Sequence, residues 1–181
     1  MIERAEGYLN LDQTKDIVIV LQSGNHRFTN CNESTEKLAD EERIILVLTS
    51  ENGEPRVTIQ NNKFIARSDE GGMACYIEPD ISIDNGQLTI FYEHLRGYTS
   101  YIFEYESGDM ILVSAESTGA SAGRFEKDYF DFRKGIIKSE KGSISSDSTS
   151  TEIIPIKFDG FKKLSEFGER FDWKVAEYKY L

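Results

Sequence analysis

Apolar and polar residues alternate with a period of two along most of this chain. In "DISIDNGQLTIFYEHL" (80–95), Ile81 and Ile83 fall on one side of a strand, and Leu88, Ile90 and Tyr92 on one side of the next. Between them Asn85-Gly86 suits a two-residue turn with two positive φ angles, so the stretch predicts a hairpin. "YTSYIFEYESGDMILVSAES" (98–117) predicts another, with Tyr101, Phe103 and Tyr105 on one face and Ser107-Gly108 at the turn. "DIVIVLQ" (16–22) and "RIILVLTS" (43–50) are continuous apolar runs rich in β-branched residues. They read as central strands covered on both faces. "EPRVTIQ" follows the second run after a turn signal at Asn52-Gly53, and "KDYFDFRKGIIKSEKG" (127–142) continues the pattern more weakly.

Helical periodicity is scarce. "NESTEKLADEERI" (32–44) reads as one short helix or as an acidic loop, and "FKKLSEFGERFDWKVAEYKY" (161–180) as helix or strand. "SSDSTST" (145–151) is a polar hairpin loop or linker, and Pro155 in "EIIPIKF" argues for an edge strand, because it cannot donate to a ladder. Turn signals about every ten residues exclude a βαβ pattern. The expected fold is mostly β: an antiparallel meander or sandwich with one or two short helices. It forms a single domain over 1–181, with a flexible polar loop near 142–151.

Composition narrows the functional classes. A formal charge of −11 over 181 residues repels phosphate backbones and anionic lipid. It predicts no nucleic-acid partner and no membrane insertion, and favours a basic protein partner or divalent cations. "MIERAEGYLN" holds no apolar run of signal length. As written the chain is expected in the cytoplasm, or in the periplasm or envelope if its N-terminus is a processed form. Cys31 and Cys75 fit no zinc spacing and are expected as buried thiols.

Candidate chemistry is thin. Only His26 and His94 would titrate near neutrality, and Glu93 beside His94 points to the opposite face of a strand. The serines form no nucleophile elbow, and "STGASAG" (117–123), small and flexible, lacks phosphate-cradle spacing. No catalytic residue is assigned and the chain is not expected to be an enzyme. Two features suit binding. One is the acidic run Glu33, Glu36, Asp40, Glu41 and Glu42. The other is the set of aromatics that would flank an open strand face, Tyr98, Tyr129 and Tyr178, with Tyr98 foremost.

"GYLNLDQTKDIVIVL" (7–21) resembles the calcium loop of FG-GAP or VCBS-type β-repeats, which runs roughly "GDLNGDGKDDIVLV". Gly7, Leu9, Asn10, Asp12 and Asp16 match. Tyr8 stands in place of the first Asp and Gln13 in place of the bend glycine, which removes one carboxylate and the sharp turn. The resemblance makes Asn10, Asp12 and Asp16 weak metal candidates for calcium, with no other cofactor expected. The residues alone also read as a turn in which Asn10 and Asp12 cap backbone N–H groups. Residues 71–117, with Gly71-Gly72, Pro79, the Asn85-Gly86 hairpin and the aromatic strand, are similar to a group of uncharacterised bacterial β-rich proteins, many of them exported. Two functions are therefore expected as alternatives. The first is a non-catalytic acidic binding protein, concretely an immunity protein neutralising a cognate bacterial toxin. The second, implied by the resemblance, is an envelope-associated β-domain with a structural or ligand-binding role and weak calcium binding.

Overall fold

The computed structural model describes residues 1–10, 12–23, 42–51, 53–68, 70–71, 77–146 and 148–181. The chain is mostly β, 61% strand, in antiparallel sheets, and no helix among the described residues reaches seven residues. None is long and apolar enough to cross a membrane.

The first sheet is a four-stranded meander of β1 (Glu3–Gly7), β2 (Asp16–Gln22), β3 (Arg43–Glu51) and β4 (Glu54–Asn61), in that spatial order. The second has seven strands, each paired with its neighbours in the chain: β5 (Asp80–Asp84), β6 (Gln87–His94), β7 (Gly97–Glu106), β8 (Asp109–Ser121), β9 (Arg124–Asp131), β10 (Ile136–Ser143) and β11 (Thr149–Pro155). The turns follow from their residues. Asn85 and Gly86 have φ of 50° and 80°, and Ser107 and Gly108 have 53° and 87°, the left-handed pair that lets a two-residue loop match strand twist. β11 is an edge strand, so the missing N–H of Pro155 leaves no gap in a central ladder.

Side chains of one parity from both sheets meet in a single core. Val18, Val20, Ile45 and Val47 come from the first sheet, and Leu88, Ile90, Tyr101, Phe103, Phe130 and Ile137 from the second. Phe64, on the connection leaving β4, packs edge-on against Tyr101 at 4.9 Å and tilts against Phe167 at 4.7 Å. β1 crosses close to β5 at Gly7, where a Cβ would lie 2.7 Å from Ile83 Cβ.

Three polar residues fasten the connections. Arg43 is buried and gives its guanidinium to Gln22 Oε1 at 3.0 Å, the Ala66 and Ile77 carbonyls at 2.9 Å and Glu78 Oε1 at 2.9 Å. Asn61 donates to the carbonyls of Leu164 and Phe167 at 2.7 and 2.8 Å and accepts from the N–H groups of Lys63 and Phe64, both at 2.7 Å. Lys179 reaches both oxygens of Asp128 at 2.7 and 2.6 Å, Ser139 Oγ at 3.2 Å and also Glu126.

Some expectations need adjusting. β2 and β3 are central strands, but they are not covered equally on both faces: Ile17, Ile19, Leu21, Ile44, Leu46 and Leu48 are half-exposed, while their neighbours of opposite parity are buried. An antiparallel sheet with one face on the core leaves the other nearer to water. Segment 161–180 becomes a single 3-10 turn at Leu164–Glu166 followed by a short hairpin of β12 (Lys174–Ala176) and β13 (Lys179–Tyr180). "STGASAG" is not a loose segment: Ser117 to Ser121 complete β8. The proposed helix or loop at 32–44 lies outside the described residues up to 41, and Arg43 and Ile44 begin β3.

Candidate interaction surface

The seven-stranded sheet buries one face and turns the other outward. On β6 and β7 the inner set is Leu88, Ile90, Tyr92, His94, Thr99, Tyr101 and Phe103, and the outer set includes Thr89, Phe91, Glu93, Tyr98, Ser100 and Ile102. Tyr98 sits within that outer face. Its ring tilts against Phe91 at 5.5 Å between centroids, and its hydroxyl meets Glu116 Oε2 at 2.5 Å. Lys127 Nζ lies 3.4 Å from the other oxygen of Glu116, extending the row from β7 across β8 to β9. The hydrogen bond to Glu116, then burial, push the Tyr98 phenol up, and Glu116 raises Lys127 in turn. Tyr98 is thus a protonated phenol held at its ring by Phe91 and at its hydroxyl by Glu116. Tyr129, also outward, is 38% exposed opposite Glu116.

Charge is uneven on this sheet. Residues 80–121, which supply β5 to β8, hold seven carboxylates and a single Arg or Lys, Arg96 in the β6–β7 turn. Asp80 and Glu93 point outward with no ion-pair partner among the described residues. β9 and β10 carry equal numbers of basic and acidic residues, with Lys127 and Lys138 on the outer side and Lys141 beside Glu126 on the inner side. The acidic, aromatic part of the face is therefore the part around Tyr98.

The acidic run is largely out of view. Glu33, Glu36, Asp40 and Glu41 lie outside the described residues, as do His26, Cys31 and Cys75. Glu42 is exposed just before β3, and its carbonyl accepts the Ser23 N–H at 3.0 Å. It belongs to the first sheet, so it does not share a face with Tyr98. Tyr178 is 83% exposed at the tip of the β12–β13 hairpin, again away from Tyr98.

The calcium-loop residues hold backbone. Asp16 is buried and accepts the N–H groups of Leu9 at 2.8 Å, Asn10 at 3.3 Å and Ser50 at 3.1 Å. Asn10 Oδ1 accepts from Asp12 N–H at 3.0 Å, and Asp12 Oδ1 from Thr14 N–H at 2.7 Å. That last bond holds the Asp12 carboxyl below its ordinary range. These are Asx turns, in which side-chain oxygens replace backbone acceptors. Asp16 in addition ties the β1–β2 turn to β3.

His94 closes β6 and shares a 2.8 Å hydrogen bond between its Nε2 and Thr99 Oγ1. Glu93 lies on the opposite face, as strand alternation requires, so the two form no dyad. The buried polar residues Arg43, Asn61 and Lys179 carry no sequence motif. For Arg43 a signal exists: its parity matches Ile45 and Val47, which places it inward.

No family model matches the chain, and neither curated proteins nor solved structures show a match, so the resemblances noted in the sequence stand on their turns and core positions alone.

Proposed function

We propose that the chain is a non-catalytic binding protein that captures a basic protein partner on the outer face of β5 to β8. The observation that carries this reading is the outer side of these strands, where Tyr98 lies against Phe91 and the outward carboxylates Asp80 and Glu93 have no ion-pair partner among the described residues. Complementary charge speeds capture, and a restrained tyrosine loses little entropy on binding. An immunity protein that occludes a cognate bacterial toxin is the concrete form, because toxins that act on nucleic acid need a basic surface of their own.

The test is affinity capture with the tagged chain from its source cells, run beside a Tyr98→Ala/Glu93→Lys variant. A stoichiometric basic protein is expected with the unaltered chain and absent with the variant. Its association rate should fall by about tenfold or more as salt rises through the physiological range, since screening shortens the reach of surface charge. An acidic partner, or one that the variant retains, removes the reading. Relief of the captured protein's toxicity by co-expression would establish the immunity form.

A further inference from the structure

The outer side of the first sheet is an aliphatic block left open to water. Register lays it out: Ile17 beside Leu48, Leu48 beside Val57, Ile19 beside Leu46, and Leu21 beside Ile44. Val57 is 53% exposed, and the other six are half-exposed. Their neighbours Val18, Val20, Ile45 and Val47 take the core side, against the second sheet. A strand with one side in water ordinarily alternates apolar with polar residues. A continuous aliphatic run belongs to a strand covered on both sides. β2 and β3 carry such a run, yet their outer side stays half open. A contiguous aliphatic patch on a folded chain marks a place where another surface docks.

Charge says what fits there. Among the described residues, register puts two charged side chains on this side of β1 to β4: Arg4, beside Ile19, and Glu6, beside Ile17. They pair with each other, so the face is neutral in a chain of formal charge −11. A two-fold contact sets one patch against its own copy, and a charged patch repels itself there. The outer side of β5 to β8, with Asp80 and Glu93 unpaired among the described residues, fails that condition. The aliphatic face meets it. It has no carboxylate excess to attract a basic protein and no basic rim to hold an anionic membrane surface. The β2–β3 connection, 24–41, brings four carboxylates and only Phe28, Cys31, Leu38 and Ala39 as apolar residues, a composition that does not match seven aliphatics. A second copy of the chain matches them residue for residue.

We propose that two copies of this chain associate through the outer side of β1 to β4, with the two four-stranded sheets stacked face to face about a two-fold axis. Stacked sheets lie about 10 Å apart with their strands within about 30° of each other, a spacing at which facing aliphatic side chains interdigitate. Leu46 stands at the centre of the block, between Ile19 on β2 and Gln60 on β4. Arg4 and Glu6 stand at its rim on β1, the outermost strand. An apolar centre with a polar rim is the ordinary anatomy of a protein interface. The acidic face proposed to capture a partner lies on the other sheet, so neither contact depends on the other.

The test is the mass of the full chain by sedimentation equilibrium from about 1 to about 300 µM, since association follows concentration by mass action. The unaltered chain is expected to rise from one-chain to two-chain mass across that range. Val57→Lys and Leu46→Lys each set like charges against each other across the two-fold axis and should weaken association by about a hundredfold or more. Ile153→Lys replaces a residue 56% exposed on β11 of the other sheet and should leave association unchanged. Val57 is exposed in the single chain, so its variant should fold, with a midpoint at the lowest concentration within about 2 °C of the unaltered chain. An unaltered chain that stays at one-chain mass throughout overturns the proposal whatever the variants do, and shows the face to be bare or covered from within. Dimers that persist in both β-sheet variants Val57→Lys and Leu46→Lys place the interface elsewhere and overturn it too. Equal weakening by Ile153→Lys assigns the loss to net charge and does the same. So do assemblies that grow past two copies, which a two-fold contact cannot build.

Discussion

Asp16 shows how one carboxylate can be mistaken for a ligand and prove to be a fastener. Its oxygens already hold three backbone N–H groups, two from the β1–β2 turn and one from β3. Asp16→Ala should therefore destabilise the chain by about 2–4 kcal/mol, because it orphans buried donors as well as losing their bonds. Excess calcium should leave the unfolding midpoint of the unaltered chain where chelator leaves it. A calcium-dependent rise would show instead that Asn10 and Asp12 turn from backbone to an ion. At this scale the sequence displayed the right residues but not their duties. The spacing of Asn10, Asp12 and Asp16 serves a calcium loop and a pair of Asx turns equally, and only the approach of Ser50 from β3 decides between them. Arg43 was hidden for a different reason. It ends an acidic run, so it reads as surface, although strand parity places it among the core residues.

Strands and their turns were the most legible elements, because hairpin chemistry is local. Asn85-Gly86 and Ser107-Gly108 state their positive φ angles in the residues themselves. What joins one sheet to the other is not local, and Gly7 is the instance. It reads as the opening glycine of a loop, yet it is the last residue of β1, where the backbone passes against Ile83 of β5. Gly7→Ala should lower stability by about 1–3 kcal/mol, because the new methyl group drives Ile83 out of its place. Gly119→Ala, with nothing near its added Cβ, should be close to neutral. Thermal unfolding of the two variants side by side checks this, and equal losses would mean that β1 and β5 do not approach so closely. The C-terminal segment was ambiguous in sequence for a related reason. Phe167 and Trp173 pack 5.8 Å apart with no regular period, and a 3-10 turn followed by a two-strand hairpin has none to show.

For the molecule as a whole, the Lys179 cluster links stability to pH in a checkable way. Burial alone would lower the Lys179 pKa, but Asp128 and Glu126 outweigh it and raise it above the ordinary 10.5. Burial likewise works to raise the Glu126 carboxyl, and Lys179 with Lys141 brings it below 4.5. A raised lysine contributes stability that is full below its unfolded value and fades as pH climbs through the folded one. A depressed carboxylate contributes above its unfolded value and fades as pH falls through the folded one. The difference in midpoint between the unaltered chain and Lys179→Met should therefore be largest and level between about pH 5 and pH 10, and shrink on either side. Taking the difference cancels most of the self-repulsion of an acidic chain. A difference that stays constant with pH would show that Lys179 acts by packing alone.

The strand order of the second sheet bears on how the molecule comes to be built. Every strand from β5 to β11 pairs with its neighbours in the chain, so those ladders can zip from their turns with short loops to close, on the scale of about microseconds per hairpin. The bonds from Asn61 to the carbonyls of Leu164 and Phe167 close a loop of more than a hundred residues. Closing so long a loop is the slow, entropically expensive event. By topology, the hairpins are the inexpensive part of folding this chain, and bringing Asn61 to the C-terminal turn is among the costly ones.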